Sequence, residues 1–200
     1  MIRDNLLIIF VKNPIPGKVK TRLAQTIGNE KALVVYQNLL FCTLKITKAA
    51  ANCDKSVFYA DYIDHKDIWS EGDFEKHLQK GDSLGARMLN AFESNFQKGY
   101  KNVILIGSDC AELTTEIIGL AFNSLENNDV VIGPASDGGY YLIGMNFLIK
   151  DVFENKKWSS NSVLSDTLTD LEKNNRSYHL LPELNDIDDE EDWEKSHLYF

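Results

Sequence analysis

Cysteine is scarce in this chain, and its placement excludes a disulfide framework. Cys42, Cys53 and Cys110 are an odd number at unrelated spacings, with no CxxC pair. That pattern belongs to a reducing compartment. Positive charge is in deficit: the formal net charge is −9, which excludes a general nucleic-acid or anionic-membrane binder, because both need a basic face. Long apolar runs are missing too. The run from Leu6 to Val11 is too short for a signal peptide, and nothing later reaches the ~18 apolar residues at which membrane spanning begins. No repeat or Pro/Gly/Ser-rich linker divides the sequence, and the four histidines show no HxxxH or HExxH spacing, so no zinc-hydrolase motif is present. These absences predict one soluble, cytoplasmic domain over residues 1–200, without membrane insertion.

What is present is alternation. Short continuous apolar runs predict strands at Leu6–Val11, Ser56–Ala60, Val103–Ile106, Val130–Gly133, Tyr141–Met145 and, more weakly, Tyr178–Leu181. Segments of helical period separate them: Glu30–Ala50 with a stripe of Leu33, Tyr36, Leu40 and Leu44, then Leu84–Phe96, Thr114–Leu125 and Ser160–Leu171. Continuous runs rather than alternating ones predict strands buried on both faces, hence a mostly parallel sheet covered by helices. The polar, aromatic stretch Asp61–Lys80 reads as an excursion over the sheet edge, with a short strand near Phe74–Leu78. In such sheets ligands bind beyond the carboxyl ends of the strands.

The unusual residues collect at those ends. "VKNPIPGKVKTRLA", Val11–Ala24, carries Lys12, Lys18, Lys20 and Arg22 without an acid among them. Pro14 and Pro16 fix φ on either side of Ile15, and Gly17 permits a turn that other residues resist. It is neither a P-loop nor a GxGxxG fingerprint. A solvated basic loop is the plain alternative; four cations at a strand end favour an anion site.

"QKGDSLGARM", Gln79–Met88, places Gly81 and Gly85 around a helix start capped by Asp82 or Ser83. An ordinary turn and N-cap explains it alone; backbone there also suits the approach of a flat base or ribose. "VILIGSDCAEL", Val103–Leu113, ends a buried strand at Gly107 and delivers Ser108 and Asp109 to the sheet edge. A carboxylate there needs a compensating partner, either a helix start or a metal ion. "GPASDGGYYLIGM", Gly133–Met145, turns tightly at Asp137-Gly138-Gly139 and offers Tyr140 as a wall, which is also how a plain hairpin turn reads. The acidic stretch "PELNDIDDEEDWEK", Pro182–Lys195, is mostly a solvated helix start, but Asp186 and Asp188 alternate ahead of it. Asp109 with one of these two fits a site for Mg²⁺ or Mn²⁺, ions that take one or two carboxylates and share phosphate oxygens. Trp69, Trp158 and Trp193 read as packing residues.

In order and spacing these stretches resemble the DUF2064 family of bacterial GT-A-type, glycosyltransferase-like proteins, over nearly the whole chain. More distantly they are similar to sugar-phosphate and phospholactate nucleotidyltransferases. The resemblance implies a single-domain α/β, Rossmann-like nucleotide-diphospho-sugar transferase fold: three layers around a central, mostly parallel mixed sheet. It implies that Lys12, Pro16, Gly17, Lys18, Lys20, Arg22 and Ser108 meet phosphates, and that Gln79, Gly81, Leu84 and Gly85 border base and ribose. It further implies that Asp109 with Asp186 or Asp188 holds Mg²⁺ or Mn²⁺, and that Asp137, Gly138, Gly139 and Tyr140 receive the acceptor. Asp137, Lys20 and Arg22 are then the candidate catalytic side chains. One departure is Ala111, where the family usually has proline.

Three functions compete on that basis. The first is a metal-dependent glycosyltransferase using a nucleotide sugar and a small-molecule acceptor. The second is a nucleotidyltransferase joining a nucleoside triphosphate to a phosphorylated small molecule. The third is a non-catalytic nucleotide-binding protein. The absence of a glycine-rich LxAGxGxRM loop, replaced by "VKNPIPGKVKTRL", favours the first.

Overall fold

A computed structural model describes residues 4–196. Seven strands form one sheet: β1 (Asn5–Val11), β2 (Asp54–Tyr59), β3 (Glu75–Leu78), β4 (Asn102–Ile106), β5 (Val130–Pro134), β6 (Tyr140–Met145) and β7 (Tyr178–Leu180). Their spatial order is β3-β2-β1-β4-β6-β5-β7. Strand β6 runs antiparallel to β4 and β5, and the other described pairings are parallel. The helices are α1 (Thr21–Ile27), α2 (Asn29–Ala49), α3 (Leu84–Gln97), α4 (Thr115–Ser124), α5 (Val163–Lys173) and α6 (Glu190–Lys195), with a 3-10 turn at Lys150–Phe153.

The continuous apolar run of β1 is explained by burial on both faces. Leu7, Ile9 and Val11 pack with Tyr36 and Leu40 of α2 and Ile118 and Phe122 of α4. Leu6, Ile8 and Phe10 pack with Met88 and Phe92 of α3, Phe153 of the 3-10 turn and Leu171 of α5. Residues of period two thus serve two cores, and the three-layer α/β fold follows. A smaller cluster of Leu23, Ala32, Val35, Leu39 and Ile187 ties α1 and the segment before α6 to the outer side of α2.

Helix starts follow side-chain capping. Ser83 caps α3 by accepting from the Ala86 amide at 3.2 Å, which selects Ser83 over Asp82, and Thr114 caps α4 by accepting from the Ile117 amide at 3.3 Å. The excursion between β2 and β3 is pinned by Trp69, 2% exposed and edge-on to Phe74, and by Lys76 paired with Asp67 at 2.7 Å. The sequence reading gives no bounds for α1 or the 3-10 turn, both too short for a period to show. With β1, β2, β4 and β5 parallel, their carboxyl ends form one edge, and the loop after β1, the loop after β4 and the β5–β6 turn open there.

Candidate functional site

The loop after β1 is shaped by Asn13 more than by its prolines. This asparagine is 1% exposed. It donates to the Tyr62 carbonyl at 2.9 Å and accepts from the Asp61 and Tyr62 amides at 3.1 and 3.3 Å. One residue earlier, the Lys12 amide donates to the Tyr36 hydroxyl at 2.8 Å, while that hydroxyl donates to the Lys12 carbonyl at 3.1 Å and lies 3.3 Å from Ser108 Oγ. Tyr36 therefore bolts the end of β1 to the end of β4 from the buried face of α2. Burial first, and Asp109 second, push its phenol above the ordinary value, so it stays protonated and neutral.

Lys20 does not behave as a loop lysine. It precedes α1 in the left-handed conformation, φ 46° and ψ 46°, and its side chain is only 3% exposed. The ammonium lies 3.2 Å from Asp109 Oδ1 and 3.3 Å from Asp188 Oδ1, and Arg22 Nη1 lies 3.5 Å from Asp188 Oδ2. Burial opposes the Lys20 charge, but Asp109 and Asp188 more than offset it and hold the pKa above the ordinary lysine value. Two of the cations that the sequence leaves uncompensated, Lys20 and Arg22, thus meet Asp109 after β4 and Asp188 from much later in the chain.

Asp188, with Asp186, is delivered by a strap. The Ile187 amide donates to the Asp109 carbonyl at 3.2 Å, and the Ile187 side chain, 2% exposed, is buried against α1 and α2. Asp186 and Asp188 flank this anchor and line different spaces. Asp188 lines a cavity of about 280 Å³ with Lys12, Lys20, Arg22, Tyr36 and Asp109. Asp186 lines one of about 480 Å³ with Gln79, Ser83, Arg87, Ser108 and Asp109. It also lines one of about 230 Å³ with Leu84, Asp137, Gly139, Tyr140 and Trp158. The three spaces share walls, so Arg22, Asp109 and Asp137 open onto one crevice along the strand ends.

Asp186 is raised from its ordinary 3.8 to about 7, first by burial, then by Asp109, with Lys20 opposing and Asp137 and Asp188 adding to the rise. Since the folded-state pKa stands above the unfolded one, its contribution to stability is complete below about pH 4 and is lost as the pH rises through about 7. In chelator-treated protein, Asp186→Asn should therefore gain stability over the parent progressively between those pH values. Urea melts at pH 4, 6 and 8 check this; parallel pH profiles for the two proteins would refute it.

The crevice gathers Lys12, Lys20, Arg22, Gln79, Leu84, Ser108, Asp109, Asp137, Gly139, Tyr140, Asp186 and Asp188. Six expected site residues, Pro16, Gly17, Lys18, Gly81, Gly85 and Gly138, line none of the three spaces. Lys18, Pro16 and Gly17 are exposed; Gly17 serves the turn, with φ 76°. Gly85 is buried, and a Cβ there would stand 2.4 Å from the Phe153 carbonyl oxygen and 2.5 Å from Trp158 Nε1, so helix packing requires it rather than a base. Gly81, at φ 131°, would meet Ala86 Cβ at 2.8 Å, and it too serves the chain. The sequence reading misses Tyr36, whose period hides it in a core stripe, and Arg87, which reaches Gln79 Oε1 at 3.4 Å from α3. Trp158, read as packing only, also walls the space beside Asp137, 6.5 Å edge-on from Tyr140.

Among the described residues no three acidic, histidine or cysteine side chains stand together as a metal cage, and Lys20 lies between Asp109 and Asp188. The hard carboxylate oxygens of that pair nevertheless suit Mg²⁺ or Mn²⁺, which need no more than two protein carboxylates when phosphates supply the rest.

A family model, "Uncharacterized protein conserved in bacteria (DUF2064)", matches residues 43–160. The chain is a DUF2064 protein. No functionally curated protein matches it. This DUF2064 protein is similar to a candidate nucleotide-diphospho-sugar transferase from Desulfovibrio desulfuricans G20, at 34% identity and TM-score 0.87, over 94% of this chain and 84% of that one. It shares its fold with 4-diphosphocytidyl-2C-methyl-D-erythritol synthase from Anaerococcus prevotii DSM 20548, at 14% identity and TM-score 0.60, over 98% and 95% of the two chains. It also shares it with the manganese complex of Rv0371C from Mycobacterium tuberculosis H37Rv, at 9% identity and TM-score 0.60, over 98% of each. The DUF2064 chain therefore has the nucleotide-diphospho-sugar transferase fold. None of its described helices is long and apolar enough to cross a membrane.

Proposed function

We propose that this protein is a divalent-metal-assisted glycosyltransferase that takes a nucleotide-diphospho-sugar donor and a small-molecule acceptor. The observation that carries the reading is the meeting of Lys20 and Arg22 with Asp109 and Asp188 in one cavity, which shares walls with the Gln79–Arg87 space, itself continuous with the Asp137–Tyr140 space. The nucleoside lies along Gln79, Ser83 and Arg87. The diphosphate lies over Lys12, Lys20 and Arg22. The acceptor occupies the aromatic-walled space beside Asp137 and Asp186. Asp109 and Asp188 hold Mg²⁺ or Mn²⁺, which supplies charge neutralisation to the diphosphate when bound.

In the transfer, an acceptor oxygen forms a bond to the anomeric carbon while that carbon's bond to the diphosphate oxygen breaks. The acceptor proton passes to the carboxylate of Asp137 or Asp186, both of which line that space. The electron pair leaves with the nucleoside diphosphate, whose charge Lys12, Lys20 and Arg22 stabilise. Incubating the protein and Mg²⁺ or Mn²⁺ with panels of nucleotide sugars and nucleoside triphosphates tests this. Release of a nucleoside diphosphate from a nucleotide sugar is expected; diphosphate released from a triphosphate would replace glycosyl transfer by nucleotidyl transfer.

The cations should separate by position. Arg22→Ala is expected to weaken nucleotide binding by about tenfold, whereas Lys18→Ala, on the exposed turn, should leave it within about twofold. Isothermal titration with the active nucleotide measures both, and equal losses would remove the distinction between them.

A further inference from the structure

We infer that Lys20 is a tethered stand-in for the divalent ion: its ammonium occupies Asp109 and Asp188 until metal and phosphate arrive together, and then moves from the carboxylates to the phosphate. This rests on the metal-assisted reading above and goes beyond it, because it makes metal binding conditional on nucleotide.

The geometry carries the argument. Lys20 Nζ lies 3.2 and 3.3 Å from one oxygen each of Asp109 and Asp188. A divalent ion held by those same two oxygens would have to share them with the ammonium, and two cations competing for one carboxylate pair repel each other. One must leave. The ammonium is the one with somewhere to go, since Lys20 lines the cavity that Lys12 and Arg22 also line, and its residue is already held in the left-handed region, φ 46°, where a non-glycine residue is strained.

Asp188 is further occupied by Arg22 on its second oxygen, 3.5 Å away. A metal ion arriving alone therefore has to displace one cation and compete with another. A metal ion arriving with a diphosphate brings the anion that both cations can turn to. The acid pair is thus kept closed by the protein's own charge, and metal and nucleotide become mutually reinforcing ligands.

Mn²⁺ alone is the probe, followed by loss of its free-ion electron paramagnetic resonance signal. Lys20→Met and Lys20→Gln, each checked for a native circular-dichroism spectrum, should bind Mn²⁺ about tenfold tighter than the parent, and Asp109→Asn added to either should abolish the gain. In the parent, labelled with ¹⁵N-lysine, the Lys20 ammonium resonance should shift as Mg²⁺ and inorganic diphosphate are added together to saturation, a readout that needs no variant. Asp109-dependent Mn²⁺ binding of equal strength in parent and Lys20 variants, or an unmoved ammonium resonance at saturation, would overturn the stand-in while leaving the metal site intact. If Mn²⁺ binding is insensitive to Asp109 in every protein, the metal-assisted reading falls and the stand-in with it.

Discussion

Asp109→Asn is expected to fold like the parent and to lose turnover by about three orders of magnitude, the scale on which removal of one preorganised charge from a reacting centre is felt. Folding should survive because the main-chain link from the Ile187 amide to the Asp109 carbonyl at 3.2 Å does not involve the carboxylate, and the side chain is 35% exposed. Asparagine keeps the shape and removes the charge. The loss has two sources: a weaker hold on the divalent ion, and a Lys20 ammonium balanced by Asp188 alone at 3.3 Å. Single-turnover rates with the active donor measure it, and retention of turnover within tenfold would place the chemistry elsewhere. Thermal melts run beside the assay keep a folding defect from being taken for a catalytic one.

Gly138→Ala should destabilise the protein by about 3 kcal/mol, combining a strained backbone with an overpacked contact. Gly138 has φ 86°, and a Cβ there would stand 2.2 Å from the Asn161 carbonyl oxygen and 2.7 Å from its Cα. Those atoms are backbone and cannot rotate away. The Leu164 amide also donates to the Gly138 carbonyl at 2.9 Å, so any shift of the turn pulls on the start of α5. Gly139→Ala is the internal control: its nearest neighbour is Asp137 Oδ1 at 3.1 Å, the end of a side chain that can move. Urea melts of both variants decide the matter. A loss below about 1 kcal/mol at Gly138 would mean that the turn adapts, contrary to the usual cost of forcing a Cβ into backbone.

The fold was legible because its signals are local. The run Leu6–Val11 declares a strand buried on both sides, and β1 proves to be one, with successive side chains entering opposite cores. The tight turn at Asp137-Gly138-Gly139 declares the reversal that makes β6 antiparallel. Even the crowding of odd residues at strand ends needs only the sequence and the rule for where such sheets bind ligands. Strand order is another matter, since nothing in the residues of β6 says that it inserts between β4 and β5.

What could not be read is who faces whom. Lys18 and Lys20 are two residues apart in the same basic stretch, yet one is exposed and the other is buried between two acids. That difference depends on Asp188, 168 positions away. Tyr36 reads as one more apolar member of a helical stripe, and only its bonds to Lys12 and its closeness to Ser108 show that it joins two strand ends. Gly85 looks like room left for a ligand. In the folded chain that room is taken by Phe153 and Trp158.

The strap carrying Asp186, Ile187 and Asp188 has a consequence for how the molecule is made. Chains emerge from the ribosome amino end first, so Lys20 and Asp109 are out long before their last companion. Until Ile187 docks against α1 and α2, a growing polypeptide can lay down its sheet but has no finished crevice at the strand ends.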